Sequence, residues 1–253
     1  MLERGEAAAV AEEFGVADEQ IRRDHLLSHL LAVLSTKLPR AVVFFGGTAL
    51  ARTHLPGGRL SEDLDLYAVP RRADVVADVE KVLADGVRRE YGRLTWDPPL
   101  SSVRDVDPAV LRTADGLTVR VQLLDPAHHP AWPTERRALV QRYSDAPRAK
   151  LAVPTAPAFA AAKTTAWQDR HTPRDLYDLW GLARLGLLDM QAARLFAAFG
   201  PTGHAPRPWM FTDPPAADSW TTELGGQTRI AVGPAEALAV VRDAWTAALG
   251  RAD

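Results

Sequence analysis

Cysteine is absent from the 253 residues, which excludes disulfides and any zinc held on thiolates and fits a reducing compartment. Long apolar runs are missing too: no stretch of about 18 apolar residues suggests a membrane span. The opening residues Met1-Leu2-Glu3-Arg4-Gly5-Glu6 are charged and lack the apolar segment and cleavage site of a secretory leader. The expectation is a cytoplasmic protein with no membrane partner. Charge of one sign is not in excess either. With 30 basic and 32 acidic residues, the net charge of -2 gives no global attraction for a polyanion, which a local basic patch would have to supply. No internal repeat is apparent. What remains is an ordinary globular composition, 47% hydrophobic and 25% charged, enough for one large core or two modest ones.

The richest stretch is Phe44-Phe45-Gly46-Gly47-Thr48-Ala49-Leu50, followed by Arg59-Leu60-Ser61-Glu62-Asp63-Leu64-Asp65-Leu66. Side chains of an extended chain alternate faces, so Asp63 and Asp65 project together while Leu64 and Leu66 turn to the core. Two adjacent carboxylates raise each other's pKa unless a cation sits between them. Hard oxygen donors suit Mg²⁺ or Mn²⁺, and such ions also hold phosphates. A polar strand edge is the plainer alternative. The glycine turn just after an apolar run brings backbone N–H groups together where a phosphate can sit, although it also reads as a simple tight turn.

Periodicity supplies a coarse frame. Ile21, Leu26, Leu27, Leu30, Leu31 and Leu34 predict an amphipathic helix over 18–36, and 41–45 reads as a buried strand. A helix opens at Thr48, a strand covers 63–69, and a helix over 73–90 buries Val75, Val76, Val79, Val82, Leu83 and Val87. Leu117 to Leu124 alternates as a third strand. From Asp125 to Lys150 the sequence reads as a loop with short elements, and His128 and His129, being adjacent, do not share a face for a joint metal site. The basic residues Arg136, Arg137, Arg142, Arg148 and Lys150 are either a solvated face or an RNA path. The chain turns helical from Pro157 to Gly186. A Pro/Gly-rich surface loop over 200–233 is expected before a last helix over 234–249.

A second constellation lies in that helical half. Lys163 and Arg170 are seven residues apart on one helix, hence on one face, and can reach one anion together. Thr172 suits an N-cap, Pro173 the first helical position and Asp175 the third, where a carboxylate serves a capping box. Arg174 and Asp178, one turn apart, read as an exposed pair. Taken together, the two constellations contain what phosphoryl and nucleotidyl transfer need: a metal clamp in Asp63 and Asp65, a phosphate turn in Gly46-Gly47-Thr48, and a cation in Lys163 for the leaving diphosphate. Arg59 and Arg52 are close enough in sequence to join.

The order Gly-Gly-Thr-Ala-Leu, Arg-x-Ser-x-Asp-Leu-Asp, then Lys-x-x-Ala-x-x-x-Arg-x-x-x-Arg-Asp-x-x-Asp-Leu resembles the AbiEii/AbiGii toxin family of the polymerase-beta-like nucleotidyltransferase superfamily. The motifs span Gly46 to Trp180, and Ile21 to Leu27 also resembles the family's opening segment. The resemblance implies an α+β fold, a nucleotidyltransferase-fold mixed sheet flanked by helices with a helical C-terminal half. The expected division is a core over 1–150 and a helical domain over 151–253 that completes the active site. It further implies a toxin with a cognate antitoxin, transferring nucleotides from a nucleoside triphosphate to RNA with Mg²⁺ or Mn²⁺; MenT-like members act on the tRNA 3′ end. With that likeness, Asp63, Asp65, Lys163 and Asp178 are the expected catalytic residues, with Asp63 and Asp65 on the metal. Gly46, Gly47, Thr48, Arg59, Ser61, Arg170 and Arg174 are expected at the nucleotide, and Arg174-Asp175 matches the family's Arg-Asp pair. Many superfamily enzymes carry a third carboxylate on a later strand, where this chain offers Arg120 and Gln122; Asp125 lies just beyond. Nucleotidylation of a protein or small molecule, or a non-catalytic RNA- or partner-binding role, are the competing readings.

Overall fold

A computed structural model describes residues 2–250. Its elements in chain order are α1 (Arg4–Phe14), α2 (Asp18–Lys37), β1 (Val42–Phe45), α3 (Gly46–Ala51), β2 (Asp63–Ala68), α4 (Arg72–Asp85), α5 (Arg88–Tyr91), β3 (Thr95–Trp96), β4 (Ala109–Arg112), β5 (Thr118–Leu124), β6 (Thr134–Ala138) and β7 (Lys150–Pro154). Helices α6 (Ala156–Arg170), α7 (Pro173–Arg184), α8 (Met190–Phe199), α9 (Ala217–Leu224) and α10 (Pro234–Gly250) follow. The seven strands form one mixed sheet in the order β3-β4-β5-β2-β1-β7-β6. β2 runs antiparallel to β1 and parallel to β5, with Asp65 opposite Phe45 on one side and Gln122 on the other. The Asp63–Asp65 strand therefore lies in the interior of the sheet, fixed by ladders on both edges.

Alternation along β2 is strict. Leu64, Leu66 and Ala68 are fully buried, whereas Asp63, Asp65 and Tyr67 occupy the other face. α2 packs on α4, and both lie against the sheet. Leu26, Leu27, Leu30, Leu31 and Leu34 of α2 are all fully buried, each contributing about 1.5–3 kcal/mol of apolar burial. α7 packs against α6, α9 and α10, and α8 against α6 and α10. One continuous apolar cluster runs from Leu26 through the sheet to Leu176 and Trp245.

Several expectations are corrected. The 125–150 stretch, read as a loop with short elements, holds the strand β6 and leads into β7; β6, Thr-Glu-Arg-Arg-Ala, is an edge strand with no apolar stripe to mark it. The stretch 200–233 is not a mere surface loop: Met210, Phe211, Trp220 and Leu224 are buried in the core, and α9 lies within it. The helix expected to reach 90 stops at Asp85 and resumes as the single turn α5. Arg142, within the basic run, is not surface-exposed; its guanidinium lies over the Phe14 ring and 3.6 Å from Asp24. Among the described residues no helix is long and apolar enough to cross a membrane. Residues 251–253, the end of the expected second domain, lie outside the described residues.

Candidate active site

The turn from β1 into α3 decides where the carboxylates point. Gly46 adopts φ +77°, a conformation open to glycine, and a Cβ there would stand 2.0 Å from Asp65 Oδ2. A Cβ on Gly47 would meet Arg59 Nη2 at 2.9 Å and Ser61 Oγ at 3.1 Å. The two glycines thus let the Asp65 carboxylate, Arg59 and Ser61 close onto the backbone of the turn. At the start of a helix the first N–H groups have no intrahelical acceptor, so this turn presents donors beside the acidic pair. Thr48 is directed elsewhere. Its side chain is buried and its hydroxyl donates to the Asp63 carbonyl at 2.5 Å, tying α3 to the strand that carries the acids.

Gly46, Gly47, Arg59, Ser61, Asp63, Asp65, Lys163, Arg170 and Arg174 line one cavity of about 360 Å³, together with Arg120, Gln122, Thr172 and Asp175. Residues from the sheet and from α6 and α7 meet there. Burial first, and the neighbouring Asp63 anion second, push the Asp65 carboxyl up to about 7, against the opposing charges of Lys163, Arg120 and Arg170. Arg120 Nε lies 3.9 Å from Asp63 Oδ1. Two anions crowded in this way make a site that a hard divalent cation would relieve, and oxygen donors from Asp63 and Asp65 fit Mg²⁺ or Mn²⁺. The register places Arg120 opposite Asp63 and Gln122 opposite Asp65, so the neighbouring strand carries no third acid at these positions. Asp125 does not fill the gap. Its carboxylate accepts from the backbone N–H of Ala127 and Arg72, away from the cavity.

The opposite wall is an ion network. Lys163 Nζ sits 2.7 Å from Asp178 Oδ2 and 3.2 Å from Asp175 Oδ1, with only a tenth of its side chain exposed. Asp178 is buried behind the cavity and accepts two hydrogen bonds from Arg59, Nε and Nη2, each at 2.9 Å. Arg59 Nη1 also donates to Gln227 Oε1 at 2.7 Å. This corrects the expected Arg174–Asp178 surface pair. Arg174 instead faces Glu223 at 3.4 Å, because α9 packs beside α7 and offers an acid where the isolated helix has none. Lys163 and Arg170 do converge on one anion, Asp175, whose oxygens lie 3.0 and 2.8 Å from Arg170 Nη2. Burial alone would raise Asp175, but Lys163 and Arg170 outweigh it and hold the carboxyl below its usual range. Thr172 caps α7 as expected: its Oγ1 accepts from the Asp175 N–H at 3.4 Å, and its hydroxyl donates to Asp175 Oδ2 at 2.7 Å.

Arg52 does not join the site. It is fully buried elsewhere, with Nη2 2.7 Å from Asp24 Oδ1 and a second bond to the Asp24 carbonyl. His128 and His129 approach Asp105 at 3.2 and 3.8 Å; their surroundings are loop, and the shared acid is a proximity that spacing in one element does not reveal. An adjoining cavity of about 850 Å³ shares Phe45, Gly46, Gln122, Lys163 and Arg170 with the first and adds Tyr67, His129, Trp132 and Phe159. Tyr67 stacks on Phe45 at 4.1 Å. Trp132 and Tyr67 line this second cavity without being expected from the sequence; the alternation that puts Asp63 and Asp65 on one face also puts Tyr67 there.

An acidic pair on a central strand, a glycine turn against it and a lysine held opposite make a site suited to a divalent ion and a polyphosphate. Comparisons agree. Residues 26–252 match the profile of the family described as nucleotidyl transferase AbiEii toxin, Type IV TA system. The chain belongs to this family of toxin–antitoxin nucleotidyltransferases. Its structure is similar to that of MenT4, a nucleotidyltransferase toxin from Mycobacterium tuberculosis, with TM-score 0.73 and 25% identity over 98% of this chain and 90% of that one. A putative nucleotidyltransferase from H. pylori shares the fold with TM-score 0.57 and 15% identity over 93% of this chain and 97% of that one. No curated protein matches the sequence significantly.

Proposed function

We propose that this toxin transfers a nucleotide from a nucleoside triphosphate to an RNA acceptor, the 3′ end of tRNA, in the cytoplasm and in dependence on Mg²⁺ or Mn²⁺ held by Asp63 and Asp65. The observation that carries the reading is the Asp63–Asp65 pair facing Lys163 across one cavity with the Gly46 turn at its edge. A bound divalent ion would neutralise triphosphate oxygens and polarise the α-phosphorus. The chain's own residues do the rest. Gly46 and Gly47 let phosphate oxygens approach the backbone, and Ser61 and Arg59 line the same wall. Lys163, held between Asp175 and Asp178, meets the charge that develops as pyrophosphate leaves. Arg170 and Arg174 extend the positive rim toward the triphosphate. Asp178 acts through Arg59 and Lys163, and so is a positioning residue. The 3′-hydroxyl oxygen of the acceptor bonds to the α-phosphorus in line with the breaking bond to the β-phosphate oxygen, its proton passes to water, and pyrophosphate leaves. In this reading, Lys163 and Arg170, carried by the helical half beyond 151, complete a core supplied by 1–150.

The aromatic cavity alongside favours an RNA acceptor. Tyr67, Trp132 and His129 offer ring faces on which an unpaired base stacks, and single-stranded ends are the parts of RNA that can be splayed out. The likeness to MenT-like toxins favours the tRNA 3′ end, and membership of a toxin–antitoxin family implies a cognate antitoxin. Incubation with each labelled nucleoside triphosphate, Mg²⁺ and total tRNA tests the reading. Label on tRNA that disappears in Asp63→Asn is the expected result. Label on a protein or small molecule, or intact unlabelled tRNA with all four nucleotides, refutes it.

A further inference from the structure

A second group of metal-ligating side chains lies outside the nucleotidyltransferase cavity. His25 and His29, one turn apart on α2, face Asp145 in the segment between β6 and β7, and one donor atom from each lies within 4.8 Å of the others. Both histidines are 3% exposed. His25 Nε2 stands 3.0 Å from Asp145 Oδ1, and His29 Nε2 stands 3.5 Å from the same oxygen. A tetrahedral zinc with bonds of about 2.0–2.1 Å sets its donors roughly 3.3 Å apart, close to both separations. His25 is oriented for this from behind. Its Nδ1 is hydrogen-bonded to the Tyr91 hydroxyl, which turns Nε2 inward, and such an outer partner is the usual companion of a ligating imidazole. The second observation is at His29: its Nε2 is buried and makes no hydrogen bond of good geometry, Asp145 Oδ1 standing 3.5 Å away, so an ion between the two would satisfy it better than the carboxylate does.

We propose that His25, His29 and Asp145 supply three of the four ligands of a zinc site, with water as the fourth, separate from the Asp63–Asp65 pocket, that clips α2 to the segment joining β6 to β7. Two imidazole nitrogens and one carboxylate select a borderline cation such as Zn²⁺ over Mg²⁺, which prefers an all-oxygen shell. None of the three residues lines the nucleotidyltransferase cavity. The clip closes on a buried region: Tyr143 packs edge-on to the His25 ring at 4.9 Å and its hydroxyl donates to Asp24 Oδ2 at 3.0 Å, beside the Arg52–Asp24 pair. Ion binding would thus tie the segment 139–149 to α2 through a second, metal-held contact, and its effect would appear as stability.

Zn²⁺ titrated into chelator-treated full-length protein, in competition with a chromophoric chelator, tests this. Wild type is expected to bind one Zn²⁺ per chain and to melt at higher temperature with Zn²⁺ but not with Mg²⁺. Asp63→Asn/Asp65→Asn is expected to keep that binding, Tyr91→Phe to weaken it about tenfold, and His29→Gln to weaken it about a hundredfold or more. If His29→Gln does not fold, imidazole NMR of wild type decides: Zn²⁺ must shift His25 and His29 and leave the other histidines in place. Absence of tight Zn²⁺ binding, binding that His29→Gln retains, binding that disappears with Asp63 and Asp65, or shifts spread over other histidines overturns the proposal.

Discussion

Replacing Asp65 by asparagine should make the metal-free protein more stable while abolishing its activity. The carboxyl titrates at about 7 in the folded protein against 3.8 for a free aspartate, first because it is buried and second because Asp63 is next to it. Between those two values the folded state binds more protons than the unfolded state, so this group lowers stability as pH rises through the window. Above about pH 7 the difference, worth roughly 1.4 kcal/mol per pH unit, reaches about 4 kcal/mol, and solvent access to the half-buried side chain reduces it to about 2–4 kcal/mol. Asparagine keeps the shape and removes the charge. At about pH 8 and without divalent ions, Asp65→Asn is therefore expected to melt roughly 5–15 °C above wild type. The gain should shrink as pH falls through the window and vanish near pH 4. Added Mg²⁺ should stabilise wild type and leave the variant unmoved, since the variant lacks half of the metal's donor pair. Thermal melts and denaturant titrations at several pH values, with EDTA or Mg²⁺, measure all of this. Equal stability at about pH 8, or a gain that does not change with pH, refutes the assignment of a strained buried anion at Asp65.

Gly46→Ala places a Cβ 2.0 Å from Asp65 Oδ2 on a backbone with φ +77°. It is expected to cost about 1–3 kcal/mol in chemical denaturation and to weaken Mg²⁺-dependent nucleotide transfer by tenfold or more, as the turn and the acid separate. Asp178→Ala strips the buried Arg59 of its bidentate partner and Lys163 of its nearest anion. The expected loss is about 3–5 kcal/mol of stability by urea unfolding, and a loss below about 1 kcal/mol contradicts the buried-pair reading.

The local content of the site was legible because its residues are close in sequence and their geometry is set by one element each. Alternation along β2 places Asp63 with Asp65, and helical spacing places Lys163 with Arg170; both relations hold in the folded chain. Thr172 at the cap of α7 is equally local. Misreadings arose where the deciding partner came from afar. Arg174 and Asp178 look like a surface pair on an isolated helix, yet α9 brings Glu223 to one and the stretch before β2 brings Arg59 to the other. Arg52, six residues from Gly46 in sequence, ends in another part of the core because Asp24 of α2 takes its charge. The edge strand β6 escaped notice because an edge needs no apolar stripe, and 200–233 hid buried Trp220 and Phe211 behind a composition of turns.

From the amino-acid sequence alone come the acidic pair, the glycine turn and the cationic helix, since each depends on periodicities of a few residues; the order of these motifs carries the resemblance that implies the class of chemistry. Tertiary structure decides which charges neutralise one another. It also seats Arg120 and Gln122 beside the acids where a third carboxylate might stand, and gathers His25, His29 and Asp145 from positions 120 residues apart. Those outcomes depend on sheet order and helix packing, which join segments that no local pattern connects.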